Sequence, residues 1–362
     1  MAQIKKFFEC LIPVSVCNLE CDYCYIIQRH GNMQKVPQLK YSPEHIGQSL
    51  TQKRLGGVCY FSLCGAGETF VPDYLTDIVF QLLKNGHYVN VTTNGTLTKK
   101  IQKLGTLPPE YCSRLHISFS LHFLELKKRS LLDTFFANIE FVRSLGCSVL
   151  VQLNVYDGYL EHLEEIRNLC ISRTGAPPQL VATRKETSLN SRIDLMTSLS
   201  HDDYLNSGSS FDSPLFDYTV HNINKRQRGF CYAGDWSYVL NMQTGIMKRC
   251  YASCLYQNIF SDPDKPLMSL AVGRHCASLY CLNASHFLTL GTIADDASPS
   301  YAQLRNRPEA SWYSDDMDSF LNTKLCEQNK QYSLPKRCLS GAVGTADYLM
   351  YHLWTHLKNK KK

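Results

Sequence analysis

Three thiols stand close together at Cys17-Asn18-Leu19-Glu20-Cys21-Asp22-Tyr23-Cys24, near enough for one loop to wrap a single metal group. A [4Fe–4S] cube needs a ligand at each of four irons, usually all thiolates. This loop supplies three, which leaves one iron open to an outside ligand, much as a catalytic zinc keeps an open position while a structural zinc is enclosed. A zinc site here would want a fourth Cys or His, and His30, the nearest, has no helical context to bring it in.

A second group follows much later. Residues 238–241 and 246–248 flank a Gln243-Thr244-Gly245 turn and predict a β-hairpin that draws Cys231 and Cys250 together. Cys276 and Cys281 form the other half of a four-thiol site. Such a set can close a fully ligated iron–sulfur cluster, and four thiolates on paired loops suit zinc as well. Cys254 would replace one of them if the local chain were helical. Sixteen cysteines among 362 residues are many for a reducing compartment, where clustered thiols bind metal more often than they form disulfides. Cys59, Cys147 and Cys170, set among Val, Leu and Tyr, read as small buried hydrophobes.

The elements that must position these groups follow a regular rhythm. β-rich apolar runs at 58–63, 88–93, 115–121, 149–155 and 179–182 alternate with helical segments at 43–54, 72–85, 131–144 and 160–173. With a first strand before Cys17, this is βα alternation. It predicts a parallel sheet with right-handed crossovers, a partial (β/α)6 TIM-like barrel spanning 1–215, with chemistry on the loops at the strand C-termini. Residues 190–224, rich in Ser, Asp and Asn, read as a linker or crossing segment. A small cysteine-rich module is expected at 225–295, and a C-terminal extension at 296–362. The last part of that extension, 346–358, has an amphipathic helical pattern and is expected to pack on the barrel.

Composition narrows the class. Hydrophobic residues make up 44% of the chain, enough for a sizeable core. The first seventeen residues lack a secretory signal, and no run reaches the roughly 18 apolar residues of a membrane span; a cytoplasmic location is expected. The net charge of +6 draws partly on Lys358, Lys360, Lys361 and Lys362, and no basic stripe interleaved with aromatics asks for nucleic acid.

The C-x3-C-x2-C spacing at Cys17–Cys24, with Tyr23 before the last Cys, is similar to the signature of the radical SAM superfamily. The resemblance implies that S-adenosylmethionine (SAM) binds the open iron and is cleaved reductively to a 5′-deoxyadenosyl radical, which abstracts a substrate hydrogen. Ala66, Gly67 and Glu68 resemble the family's GGE motif, which in relatives contacts the methionyl amino group. Thr93 and Asn94 match a TNG turn near the SAM site. Ser118 or Ser120 would lie nearest the SAM ribose; Asn154 and Arg184 are further SAM contacts, the Arg either holding the carboxylate bidentately or making a surface ion pair.

Residues 231–250 resemble the auxiliary-cluster domains called SPASM and twitch, through C-x-A-G at Cys231 and G-x4-C from Gly245 to Cys250. One auxiliary [4Fe–4S] cluster is therefore expected. Relatives bearing such domains mostly modify peptides or proteins, while some act on small molecules. The resemblance implies an oxidation or crosslink as the leading reaction, with a flavodoxin or ferredoxin as reductant. A redox-neutral epimerase would need a hydrogen donor, and Cys64, Cys112, Cys326 and Cys338 are all unassigned. A non-enzymatic iron–sulfur or zinc scaffold is the alternative of another class. The sixteen residues before Cys17 leave no room for a peptide-recognition domain, so a free-standing recognition partner or a small-molecule substrate stays open.

Overall fold

The structure, a computed structural model, describes residues 2–28, 35–187 and 191–360; His30 lies outside the described residues. Six strands, β1 (Lys6–Ile12), β2 (Cys59–Gly65), β3 (Tyr88–Thr93), β4 (Leu115–Ser120), β5 (Ser148–Val155) and β6 (Gln179–Ala182), run parallel in sequence order. Helices Pro43–Ser49, Leu75–Lys84, Leu132–Ser144 and Leu163–Thr174 form the crossovers. The six strands do not close on themselves, so the architecture is a partial barrel. Strand boundaries fall within two residues of those read from the apolar runs.

Two expected segments come out differently. The helix expected at 43–54 is two helices, because Thr51 leaves the helical conformation and its side chain accepts from Arg54 N, capping a new helix at Gln52–Leu55. The stretch read as a linker holds helices His201–Ser207 and Pro214–Asn222, whose N-caps are Ser200 and Ser213. Its Ser and Asp residues are caps and first-turn acids rather than loop formers. Helices this short show one apolar patch, Leu215, Phe216 and Val220 in the second, and no repeat.

Alternation sends one row of each strand inward. Polar residues join across it: Asn90 Nδ2 donates to Ser62 Oγ at 3.2 Å, Ser118 Oγ to Asn90 Oδ1 at 2.8 Å, and Gln152 Nε2 to Ser120 Oγ at 3.0 Å. Below this layer, residues 301–320 seal the N-terminal end of the strands. Tyr88 stacks on Phe320 with ring centroids 3.7 Å apart and donates to Asp316 at 2.5 Å. Tyr301 meets Tyr60 edge-on, Tyr313 meets His116, and Trp312 O accepts from Val149 N.

On the other side, β7 (Ser237–Asn241) pairs in parallel with β1, and β8 (Ile246–Lys248) and β9 (Tyr256–Asn258) follow antiparallel. The expected hairpin is present and extends the barrel sheet past β1. The final helix is longer than the 346–358 pattern, running Leu334–Asn359. It packs on the cysteine-rich segment rather than on the barrel. Ser340 Oγ donates to Ala271 O, Asp347 accepts from Ser253 Oγ at 2.6 Å and Cys254 N at 2.7 Å, and Tyr351 joins Ala252 and Ala277.

Candidate active site

The loop after β1 carries Cys17, Cys21 and Cys24 over the C-terminal mouth of the barrel. It is laid directly on the loop after β2: Gly67 N donates to Val14 O at 2.9 Å and Glu68 N to Val16 O at 2.8 Å. A Cβ on Gly67 would fall 2.0 Å from Val16 O, so only glycine permits this approach. Glu68 then ties the loop to β3. Its carboxylate is buried and accepts from Phe70 N at 3.0 Å, Thr93 Oγ1 at 2.7 Å and Asn94 N at 2.7 Å. With three donors satisfied inside the protein, the Glu68 side chain acts as a bracket, and the loop's backbone is what it presents to a ligand.

Asn94 carries the bracket back to the cysteines. Its amide Nδ2 donates to Asn18 Oδ1 at 2.9 Å and lies 3.7 Å from Cys17 Sγ, while Leu19 N donates to the same sulfur at 3.5 Å. Burial raises the Cys17 thiol, and these two donors oppose the rise. Burial also raises Cys21, with the neighbouring Cys17 and Cys24 adding to it, which places the three sulfurs in one electrostatic neighbourhood. Donors aimed at a sulfur fit a metal-bound thiolate. Gly95 has φ of 71° and its missing Cβ leaves room for Phe119 and Phe135, so the turn itself needs glycine.

Behind the loop Tyr23 is buried. Its hydroxyl lies 2.6 Å from His122 Nδ1, and its ring packs on Tyr156 and Tyr159 at 4.8 and 5.7 Å. Burial lowers His122 to about 4, so it is neutral at neutral pH. Of the other residues singled out, Ala66 is on the β2 loop, Ser118 and Ser120 belong to the inward polar layer, and Asn154 is half-buried near the end of β5 beside the Tyr23 hydroxyl. Arg184 is exposed, in an isolated bridge to Leu195 after β6, and is not brought into the buried set.

The second group converges as well. Cys231, Cys250, Cys276 and Cys281 line one cavity with Ser278 and Tyr280. Burial raises each thiol, and the charges of Cys250, Cys231 and Cys276 all add to the rise at Cys281. Arg249 is buried beside them with no hydrogen-bond partner for Nε or Nη1; its charge is opposite to that of Cys231 and Cys250 and acts on both. Cys254 stands apart. It follows β8 in a non-helical stretch, its N–H donates to Asp347, and it packs toward the final helix.

Between the two groups lies a cluster of polar side chains, most of which spacing did not disclose. Glu9, inward on β1 and 5% exposed, accepts from Asn283 Nδ2 at 2.9 Å and lies 3.0 Å from His286 Nδ1. Tyr251 is half-buried, and the charges of Glu9, Cys64 and Cys250 all act on its hydroxyl after burial itself. Cys64 is inward on β2, two residues beyond Ser62, and is pushed up to about 12 by burial with Glu9 and Glu68 nearby. Asn18 also escaped sequence reasoning. The one signal for Glu9 was a lone acid in an otherwise apolar strand, KFFECLI.

Fold and site together define an α/β-barrel enzyme with a three-thiol loop at its mouth and a buried polar interior. Residues 11–170 match the Radical SAM superfamily, so this part of the chain is a radical SAM domain and the chain is an enzyme. A similar fold occurs in a histidine-tagged anSMEcpe with bound AdoMet, at 15% identity and TM-score 0.50, covering 96% of this chain and 99% of that one. SuiB from Streptococcus suis bound to S-adenosylmethionine is similar at 14% identity and TM-score 0.48, covering 74% and 67%. No curated protein matches the chain in sequence. Among the described residues, no helix is long and apolar enough to cross a membrane.

Proposed function

We propose that this enzyme oxidises or crosslinks a peptide or protein substrate by radical SAM chemistry, with a second iron–sulfur cluster held by Cys231, Cys250, Cys276 and Cys281. The observation that carries the reading is the second thiol quartet, which adjoins the polar side chains around Glu9 through Tyr251, next to Cys250. The resemblance of residues 231–250 to SPASM and twitch domains favours a cluster over zinc. The Arg249 guanidinium, ion-paired with Asp347 at 3.6 Å, suits the negative charge of either metal group on four thiolates.

In this reading Cys17, Cys21 and Cys24 hold the cluster that, when loaded, supplies the electron for SAM cleavage. Asn94 and Leu19 N–H stabilise the Cys17 thiolate, and the backbone of Ala66–Glu68 faces the methionyl end of SAM. Ser118, Ser120 and Asn154 line the inner wall. The residue 301–320 plug closes the far end of the barrel, so substrate enters at the strand C-termini and water is excluded from below. Glu9, held by His286 and Asn283, is placed to orient a donor group of the substrate. A flavodoxin or ferredoxin in the cytoplasm supplies the electron. The substrate class rests on the resemblance of residues 231–250 to domains whose bearers mostly modify peptides.

Anaerobically reconstituted enzyme with SAM and dithionite should release 5′-deoxyadenosine, and Cys24→Ala should release none. Failure of the loaded wild type to do so would sink the reading. Redox-neutral epimerisation is a second reading because Cys64, outside both thiol sets, is inward beside Glu9 and Glu68. In D2O an epimerised product gains one solvent deuterium, and Cys64→Ala abolishes the gain; an oxidised product shows net loss of hydrogen and is indifferent to that substitution.

A further inference from the structure

The final helix, Leu334–Asn359, is buried along one side only, through Ser340, Gly344, Asp347, Tyr351 and Thr355. Beside that line it exposes a second apolar face. Leu349 is 63% exposed, Leu353 62% and Leu357 52%, and Leu339, Met350 and Trp354 are exposed with them. At 100° per residue these positions, with Ala342, Val343 and Ala346, fill a sector about 140° wide. That is broader than the narrow seam of a two-helix coiled coil.

The charges around the face have one sign. From Leu334 to Lys362 the sequence holds a single acid, Asp347. It is 4% exposed and held by Ser253 and Cys254 N–H beside Arg249. Lys336 at the start is half-exposed and ion-paired with Asp235 at 3.8 Å, and Lys358 at the end packs its ammonium 4.7 Å from the Trp354 ring. Lys360, Lys361 and Lys362 follow in sequence. A second copy of this helix would bring lysines against lysines in either direction, whereas an anionic surface meets all of them. Trp beside Lys at the edge of an apolar face, with a run of lysines at its C-terminal end, is the pattern of a helix lying in a headgroup layer.

We propose that this face docks the enzyme on an anionic lipid bilayer, with Leu349, Leu353, Trp354 and Leu357 entering the interface and the lysines holding the headgroups. The proposal does not depend on the reaction catalysed. The full-length, cluster-loaded enzyme is floated with vesicles of phosphatidylcholine alone or with one third phosphatidylglycerol. Wild type should float with the phosphatidylglycerol vesicles, and binding should fall at least about tenfold on pure phosphatidylcholine or at high salt. Leu349→Glu/Leu353→Glu/Leu357→Glu should abolish flotation while the melting temperature and 5′-deoxyadenosine release stay unchanged, since these side chains touch solvent. Lys358→Gln/Lys360→Gln/Lys361→Gln/Lys362→Gln should remove the preference for phosphatidylglycerol. Absence of flotation, equal binding to both vesicles, or flotation that survives the triple substitution overturns the proposal. A wild-type dimer that the triple substitution dissociates, without flotation, assigns the face to a second copy instead.

Discussion

Glu68 and Gly67 together show how single residues hold the cysteine loop. Three donors converge on the Glu68 carboxylate from two loops, and the bare Cα of Gly67 lets the cysteine loop lie on the β2 loop. Gly67→Ala puts a methyl 2.0 Å from Val16 O, and the atom in the way is backbone, so the cysteine loop must shift. The expected outcome is at least about a hundredfold loss of 5′-deoxyadenosine formation, of the size a misplacement near 1 Å brings, with the fold kept by circular dichroism. Cys254→Ala gives the opposite outcome. Cys254 faces Asp347 and the final helix rather than the quartet, so the substituted enzyme should bind as much iron as wild type.

At the scale of elements, histidines set the acid limit of the fold. His87 is buried beside helix Pro43–Ser49; its Nε2 lies 2.8 Å from Leu50 O and its Nδ1 accepts from Cys59 N at 3.1 Å, an arrangement that needs the neutral ring. Burial lowers it to about 4, and lowers His116 to about 3. The unfolded chain takes up these protons near pH 6.5, the folded chain only near 4 and 3, so stability falls as pH drops through that window. Counted with His122, three protons give a slope of up to about 4 kcal/mol per pH unit, readable from urea midpoints at pH 7 and 5; His87→Gln should reduce it by about a third. Asp347 fastens the final helix to the segment carrying Cys250. Asp347→Ala leaves Arg249 buried without its partner and should cost about 3–5 kcal/mol, seen as early proteolysis within 334–359.

The same elements show what was legible. Strands buried on both faces give apolar runs that mark themselves, which is why 88–93 and 179–182 coincide with β3 and β6. The cysteine spacing marked the loop at the mouth, and the hairpin signal marked β7 and β8. The rest left no local trace. Tyr301, Tyr313, Asp316 and Phe320 close the barrel through contacts with strands some two hundred residues earlier, and nothing periodic links them. Glu9, Tyr251, Asn283 and His286 meet only because β7 returns to the β1 edge, a pairing no local pattern reports. Arg184, expected as a SAM contact or a surface ion pair, is exposed after β6 and acts electrostatically on Tyr280.

Over the whole molecule, the barrel, the β7–β9 extension and the final helix place one thiol set at the mouth and another beside it, with Cys64, Glu9 and Tyr251 between. The central claim is that both sets hold iron–sulfur clusters. The direct test is to count iron and sulfide per chain after anaerobic reconstitution, in wild type, in Cys17→Ala/Cys21→Ala/Cys24→Ala, and in Cys231→Ala/Cys250→Ala/Cys276→Ala/Cys281→Ala. The account predicts about eight irons in wild type and about four in either variant. About four in wild type, falling to none in the first variant and unchanged in the second, with or without zinc, would contradict it.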